Sequence, residues 1–204
     1  MEHSTITGIV MATKIEAAPF LKGLQLSAIE KKPVPIYGNN DIVLVVSGVG
    51  KTNAAIGTTH LINNYRPSRI FNLGAAGAAR EAFSIGDILH VDEVIEADRP
   101  RLLSAKPVTH KPDILKGFTT ATLATRDRPA LSRNDRTAAG RFADIVDMEA
   151  SAVVQACRAF GTRVFVFKII SDTAQNTTIE IIKNIRDMRN SLFQFYIEKI
   201  VPCI

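Results

Sequence analysis

The stretch from Ile145 to Gln175 constrains the fold more than any other. It reads IVDMEASAVVQACRAFGTRVFVFKIISDTAQ. An acidic opening, Asp147-Met148-Glu149, leads into a helix-like run from Ala150 to Phe160. A turn at Gly161 follows, and then an apolar β-type run from Val164 to Ile170 that ends in Ser171-Asp172. A short continuous apolar run bounded by turn residues fits a strand buried on both faces, and such strands belong to sheets covered by helices on both sides. One carboxylate then stands at a helix start and another leaves the carboxyl end of a buried strand. That end is where open α/β sheets bind ligands. Two carboxylates delivered there can divide the work of gripping hydroxyls and moving a proton. Each also has a plain structural role: Glu149 complements a helix dipole, and Asp172 caps the turn that follows.

The rest of the chain repeats the pattern. Thr5 to Ala12 is a β-rich run, and Glu16 falls at or near the first turn of the helix after it, where an acid also complements the dipole. A turn at Gly38-Asn39-Asn40 joins two short apolar runs as a hairpin, and the second, Ile42 to Val46, enters Ser47-Gly48-Val49-Gly50-Lys51 before a helix from Thr52 to Asn64. Strand, glycine turn and helix is the geometry that aims backbone N–H groups at a ligand, although the spacing is that of neither a Walker loop nor a dinucleotide fingerprint. Arg69 to Leu73 is a strand that runs into Gly74-Ala75-Ala76-Gly77-Ala78-Ala79. Such small residues either let a backbone approach a ligand or make a tight strand-to-helix turn. Ile88 to Ile95 and Phe118 to Ala124 read as strands, with an irregular loop from Glu96 to Lys116 between them and loop with some helix from Thr125 to Arg141. Thr178 to Ile200 reads as an amphipathic helix on the spacing of Ile181, Ile185, Met188, Leu192, Phe195 and Ile200. Strands alternating with helices predict a single α/β domain over residues 1–204, a three-layer sandwich with a central mixed sheet flanked by helices.

Composition narrows the function. Hydrophobic residues make up 46% of the 204, which excludes a disordered chain. No apolar run reaches the length of a membrane span, and the first twenty residues lack the basic start of a secretory signal, so a cytoplasmic protein is expected. Two cysteines and four scattered histidines give no disulfide framework and no metal-ligand spacing, so neither metal nor cofactor is expected. The net charge of +5 is spread out. Its densest stretch, Arg126 to Arg141, lacks interleaved aromatics and reads as a solvated loop and helix face rather than a nucleic-acid surface, with an anionic small-molecule group as the alternative there.

Four stretches together resemble the nucleoside phosphorylase and nucleosidase superfamily: Gly8 to Glu16, SGVGKTNAAIG from Ser47, FNLGAAGAAREAFSIG from Phe71, and Val146 to Asp172. Within it the chain is most similar to the 5′-methylthioadenosine/S-adenosylhomocysteine nucleosidases. The resemblance implies a homodimer acting on a small nucleoside. It also implies two catalytic residues: Glu16, which activates the attacking water, and Asp172, which recognises adenine and protonates N7. Met148 and Glu149 lie under the ribose, with Ala75, Gly77 and Ser171 also against the substrate. The related bacterial phosphorylases carry an arginine and a serine where this chain has Asn72 and Ala75. An amide brings no charge and a methyl no hydroxyl, so hydrolysis is expected. The alternatives are a phosphorylase with a rebuilt phosphate site, or a nucleoside-binding relative with weak catalysis. The chain departs from the nucleosidases at Ala75, where they usually have serine, at Lys168, where they have arginine, and in a shorter segment from 96 to 140.

Overall fold

The computed structural model describes residues 6–99 and 107–204. Thr5, expected to open the first strand, and residues 100–106 of the expected Glu96–Lys116 loop lie outside them. The elements run β1 (Thr7–Met11), α1 (Lys14–Gly23), β2 (Ser27–Glu30), β3 (Ile36–Gly38), β4 (Ile42–Val46), α2 (Lys51–Tyr65), β5 (Arg69–Ala78), β6 (Ile88–Glu96), β7 (Val108–His110), β8 (Thr120–Thr125), α3 (Arg133–Gly140), β9 (Ile145–Asp147), α4 (Ala150–Ala159), β10 (Arg163–Asp172) and α5 (Thr178–Phe195). A π-helical turn, Tyr196–Ile200, continues α5.

The strands make one mixed sheet. β4, β1, β5 and β10 lie side by side and parallel, and β2 and β3 extend the β4 edge antiparallel. β10 also pairs antiparallel with β6, and β6 runs through β8 and β9 back to the end of β5. The sheet therefore does more than the expected central layer: β5, β10, β6, β8 and β9 close on themselves. The closure gathers the carboxyl ends of β1, β5 and β10 around the start of α4, beside β9.

Side-chain alternation sorts the core into two layers. Val10, Val45, Ile70, Val164 and Val166 face α2 and α4, which meet them with small or branched residues such as Ala54, Leu61, Val153 and Cys157. Ile9, Leu44, Phe71, Phe165 and Phe167 face the other way, toward Phe20 of α1 and Leu192 and Tyr196 at the carboxyl end. Phe71 stacks on Phe165 with ring centroids 5.1 Å apart. Complete burial of an aliphatic or aromatic side chain contributes roughly 1.5–3 kcal/mol, so both layers hold the strand ends rigidly.

Three sequence expectations change. The small-residue run after Leu73 is not a strand-to-helix turn. β5 continues through it to Ala78, pairing with β10 and then β9. A short strand that the sequence did not suggest, β9, ends on Asp147. The stripe on α5 is divided in use: Leu192 is buried in the core, whereas Ile181 and Ile185 line the cavity described below.

Candidate active site

All seven residues expected at the site line one cavity of about 190 Å³ at the carboxyl ends of β1, β5 and β10. Each carboxylate is held by a different device.

Glu16 is the third residue of α1. Its Oε2 accepts from the Thr13 N–H at 3.1 Å and the Thr13 hydroxyl at 2.6 Å, while Thr13 Oγ1 accepts from Glu16 N at 3.3 Å. This is a capping box, which satisfies otherwise orphaned helix N–H groups. Oε1 accepts from Ala75 N at 2.9 Å. The glutamate thus does cap its helix, and it is also tied across to β5. Three of about four carboxylate lone-pair sites are occupied, which leaves one on Oε1 for the cavity. A Cβ at residue 74 would stand 2.9 Å from Oε1, so Gly74 is what lets Glu16 lie against β5.

Glu149 is the N-cap residue of α4, yet its side chain makes no capping hydrogen bond. Its Oε1 instead accepts from Gly50 N at 2.9 Å. Gly50 has φ of +98°, a conformation that glycine adopts freely and other residues do not, so the glycine turn before α2 aims that N–H at the carboxylate. Burial raises the Glu149 pKa from its ordinary 4.5 to about 7. The charge of Asp147 adds to the rise, and Lys168 and the Gly50 N–H oppose it. A carboxyl whose folded-state pKa lies above its unfolded value contributes full stability below the unfolded value and loses it as pH rises through the folded one. Glu149→Gln is therefore expected to melt at a higher temperature than the parent above about pH 7, with the gap closing below about pH 4.5. Calorimetry across that range checks it; a gap independent of pH overturns the assignment.

Beneath Glu149 lies an ion pair that sequence reasoning left without a role. Lys168 Nζ is 2.8 Å from Asp147 Oδ2, and both side chains are almost wholly buried. Burial alone lowers the lysine pKa, but the charges of Asp147, Glu149 and Glu16 outweigh it and hold the pKa above its ordinary value. Asp147 also accepts from Thr125 Oγ1 at 2.7 Å and from Ala150 N at 2.9 Å, which anchors the start of α4. Lysine at 168 therefore supplies a buried cation under three carboxylates.

Asp172, at the end of β10, accepts from Ser171 Oγ at 2.5 Å on Oδ1. Its Oδ2 is in contact with Nη2 of Arg136 from α3. Arg136 is only 4% exposed, which corrects the reading of a solvated face at that position, whereas Arg128, Arg133 and Arg141 are exposed as expected. Its Nε donates to Ala130 O at 2.7 Å and its Nη1 to Ala78 O at 3.0 Å, so buried carbonyls satisfy most of the fork. The guanidinium lies against Gly77, where any Cβ would overlap Nη1. The guanidinium brings a positive charge against this carboxylate.

Asn72 and Lys14 bear on phosphate. Asn72 is buried, and its Nδ2 donates to Val10 O at 3.2 Å, away from the cavity. Lys14 is exposed. Among the described residues Arg136 is the one cation that lines the cavity.

Comparison with known proteins agrees with this geometry. Residues 8–126 and 115–201 match the family model described as the phosphorylase superfamily. The chain is 32% identical over 166 residues to the 5′-methylthioadenosine/S-adenosylhomocysteine nucleosidase of Bacillus subtilis, spanning 68% of this chain and 71% of that protein. It is 30% identical over 201 residues to the nucleosidase of the same name from Staphylococcus aureus, spanning 82% and 86%. Among solved structures, the Streptococcus pneumoniae MTA/SAH nucleosidase bound to 8-aminoadenine superposes with a TM-score of 0.82 at 21% identity, over 93% of this chain and 96% of that one. A Helicobacter pylori futalosine hydrolase mutant superposes with a TM-score of 0.86 at 18% identity, over 97% and 99%. At those identities the superpositions speak for the fold, and the family assignment rests on the sequence matches. The chain belongs to the phosphorylase superfamily.

Proposed function

We propose that this enzyme is a purine nucleosidase that hydrolyses the N-glycosidic bond of a 5′-modified adenosine, such as methylthioadenosine or S-adenosylhomocysteine, and releases adenine. The observation that carries the reading is the arrival of Glu16, Glu149 and Asp172 in one cavity with no cationic cradle at Asn72 and Lys14. The names of the relatives in Bacillus subtilis and Staphylococcus aureus support the same substrates.

The chemistry follows from where charge develops. Breaking the bond to N9 builds positive charge on the ribose, as in glycoside hydrolysis. Glu149 accepts from the ribose hydroxyls and faces that charge, with Met148 against the sugar. Water is a weak nucleophile, and the free lone pair of Glu16 Oε1 takes its proton as it attacks. The electron pair of the broken bond leaves with the purine, at the Asp172 end of the cavity. Ser171 orients the Asp172 carboxylate, and the small side chain of Ala75 leaves room above Glu16.

Adenine release from methylthioadenosine, measured with and without phosphate, tests the reading. Equal rates and free methylthioribose are expected. A requirement for phosphate with a ribose 1-phosphate type of product would establish phosphorolysis instead.

A further inference from the structure

We propose that Lys51 is a positioning residue for the ribose-gripping carboxylate: by tying the start of α2 to the carboxyl ends of β6 and β8, it fixes the Gly50 N–H that holds Glu149. The inference rests on the nucleosidase reading and adds to it a residue outside the cavity lining.

The Gly50 N–H reaches Glu149 from a turn that its own sequence fixes weakly. Gly48 and Gly50 have φ of +92° and +98°, and glycine loses the most conformational freedom on being ordered. Gly50 is also the N-cap of α2, so no side chain caps that helix locally, and no acid stands in its first turn. The missing groups come from far along the chain. Asp127, just beyond β8, accepts from Lys51 N at 3.1 Å on Oδ1 and so caps α2 from outside. Asp98, just beyond β6, accepts from Asp127 N at 2.6 Å on Oδ2. Lys51 Nζ closes the ring: it lies 2.6 Å from Asp98 Oδ1, 3.3 Å from Glu96 Oε1 and 3.4 Å from Asp127 Oδ2. Glu96 pairs with Arg99 on its other oxygen. Burial alone lowers the Lys51 pKa, but Asp98, Asp127 and Glu96 outweigh it and hold the pKa above its ordinary value. Several charges joined in one network hold a geometry better than an isolated surface pair does.

The same strand end seats the acceptor. Thr125, the last residue of β8, donates from Oγ1 to Asp147 Oδ1 at 2.7 Å and accepts from Ser151 N at 3.0 Å. Arg126 N donates to Asp147 O at 3.0 Å. β8 thus places the start of α4, where Glu149 stands, and Lys51 refers the donor turn to that same frame. The consequence is electrostatic as well as geometric. Burial, Asp147 and Glu16 raise the Glu149 pKa, whereas Lys168 and the Gly50 N–H lower it. A hydrogen bond to the charged form favours that form. Once the turn is released, Glu149 is less well aimed at the ribose hydroxyls and harder to ionise.

The test uses Lys51→Met, which removes the shared cation, and Asp127→Ala, which removes a charge of opposite sign together with the cap on α2. Both loosen the turn. Each is assayed on methylthioadenosine from about pH 5 to about pH 9, because kcat/KM reports pKa values of the free enzyme, with melting temperature measured alongside. A small misplacement caused from outside the reacting centre can cost ~10²-fold. A fall of ~10- to 10²-fold in kcat/KM at neutral pH, with the acid limb of the profile moved to higher pH in both variants, is the expected result. A charge acting only through space would move that limb up for Lys51→Met and down for Asp127→Ala, and such opposite shifts overturn the proposal. So do near-normal profiles, or a loss that is uniform in pH and follows the melting temperature. Should Lys51→Met fail to fold, Asp127→Ala, whose side chain is 56% exposed in the parent, decides alone: an upward shift upholds the proposal, and an unmoved or lowered limb overturns it. Should the parent enzyme release no adenine, the nucleosidase reading fails separately, and an NMR titration of the Glu149 carboxyl carbon in the same variants decides for Lys51. A pKa raised in both upholds the positioning role, and an unmoved pKa or opposite shifts overturn it.

Discussion

Glu16→Gln is expected to lower kcat by ~10²- to 10⁴-fold, the usual worth of a positioned general base, while KM changes little. The amide has no basic oxygen at neutral pH, so the attacking water keeps its proton. Folding should survive, because glutamine serves at this position of a capping box as well as glutamate does. One bond is still lost. Glu16 accepts on both oxygens, from Thr13 on one and from Ala75 N on the other, and an amide has a single oxygen. A stability loss of about 1 kcal/mol is therefore expected alongside the kinetic one. Steady-state kinetics and a denaturant titration check both. A near-normal kcat, or a loss confined to KM, would leave Glu16 as a cap and a binding group only.

Asp172→Asn carries the largest expected effect on stability. The Asp172 and Arg136 side chains are each 5% exposed, and removing one partner of a buried pair costs roughly 3–5 kcal/mol because the other charge is left uncompensated. The carbonyls of Ala78 and Ala130 still hold the guanidinium, which places the cost toward the lower end of that range. Adding Arg136→Met to Asp172→Asn removes the stranded charge and is expected to recover most of the lost stability without recovering adenine release. The four proteins form a double-mutant cycle, read by denaturant titration for stability and by adenine release for function. Additive stability losses would mean that the pair is not coupled. Recovery of activity in the double variant would remove both residues from the chemistry.

Much of the site was legible in the chain because it depends on near neighbours. Thr13 and Glu16 stand at capping-box spacing. The glycines at 48 and 50 announce a turn into a helix. The apolar run before Ser171-Asp172 can only be a buried strand or a buried helix, and its shortness and flanking Gly161 choose the strand. With those elements in hand, the carboxyl ends of strands are where a ligand goes, and that placed Glu16, Glu149 and Asp172 at one edge.

What the chain by itself did not determine is the company each carboxylate keeps. Arg136 is 36 residues from Asp172 and sits among arginines that solvent holds equally well in an unfolded chain. It is buried because β5 continues past Leu73 and its residue 77 lacks a Cβ, so that a guanidinium fits against β5 at Gly77 beside the end of β10. Lys168 alternates with apolar neighbours along β10 and meets Asp147 only once the sheet closes through β8 and β9. Local preference acts over a few residues along the backbone, whereas register, closure and burial act between segments far apart in the chain. The raised pKa of Glu149 and the ion pair at Asp172 belong to that second kind, since a charge takes its energy from the dielectric and the counter-charge that tertiary packing places around it.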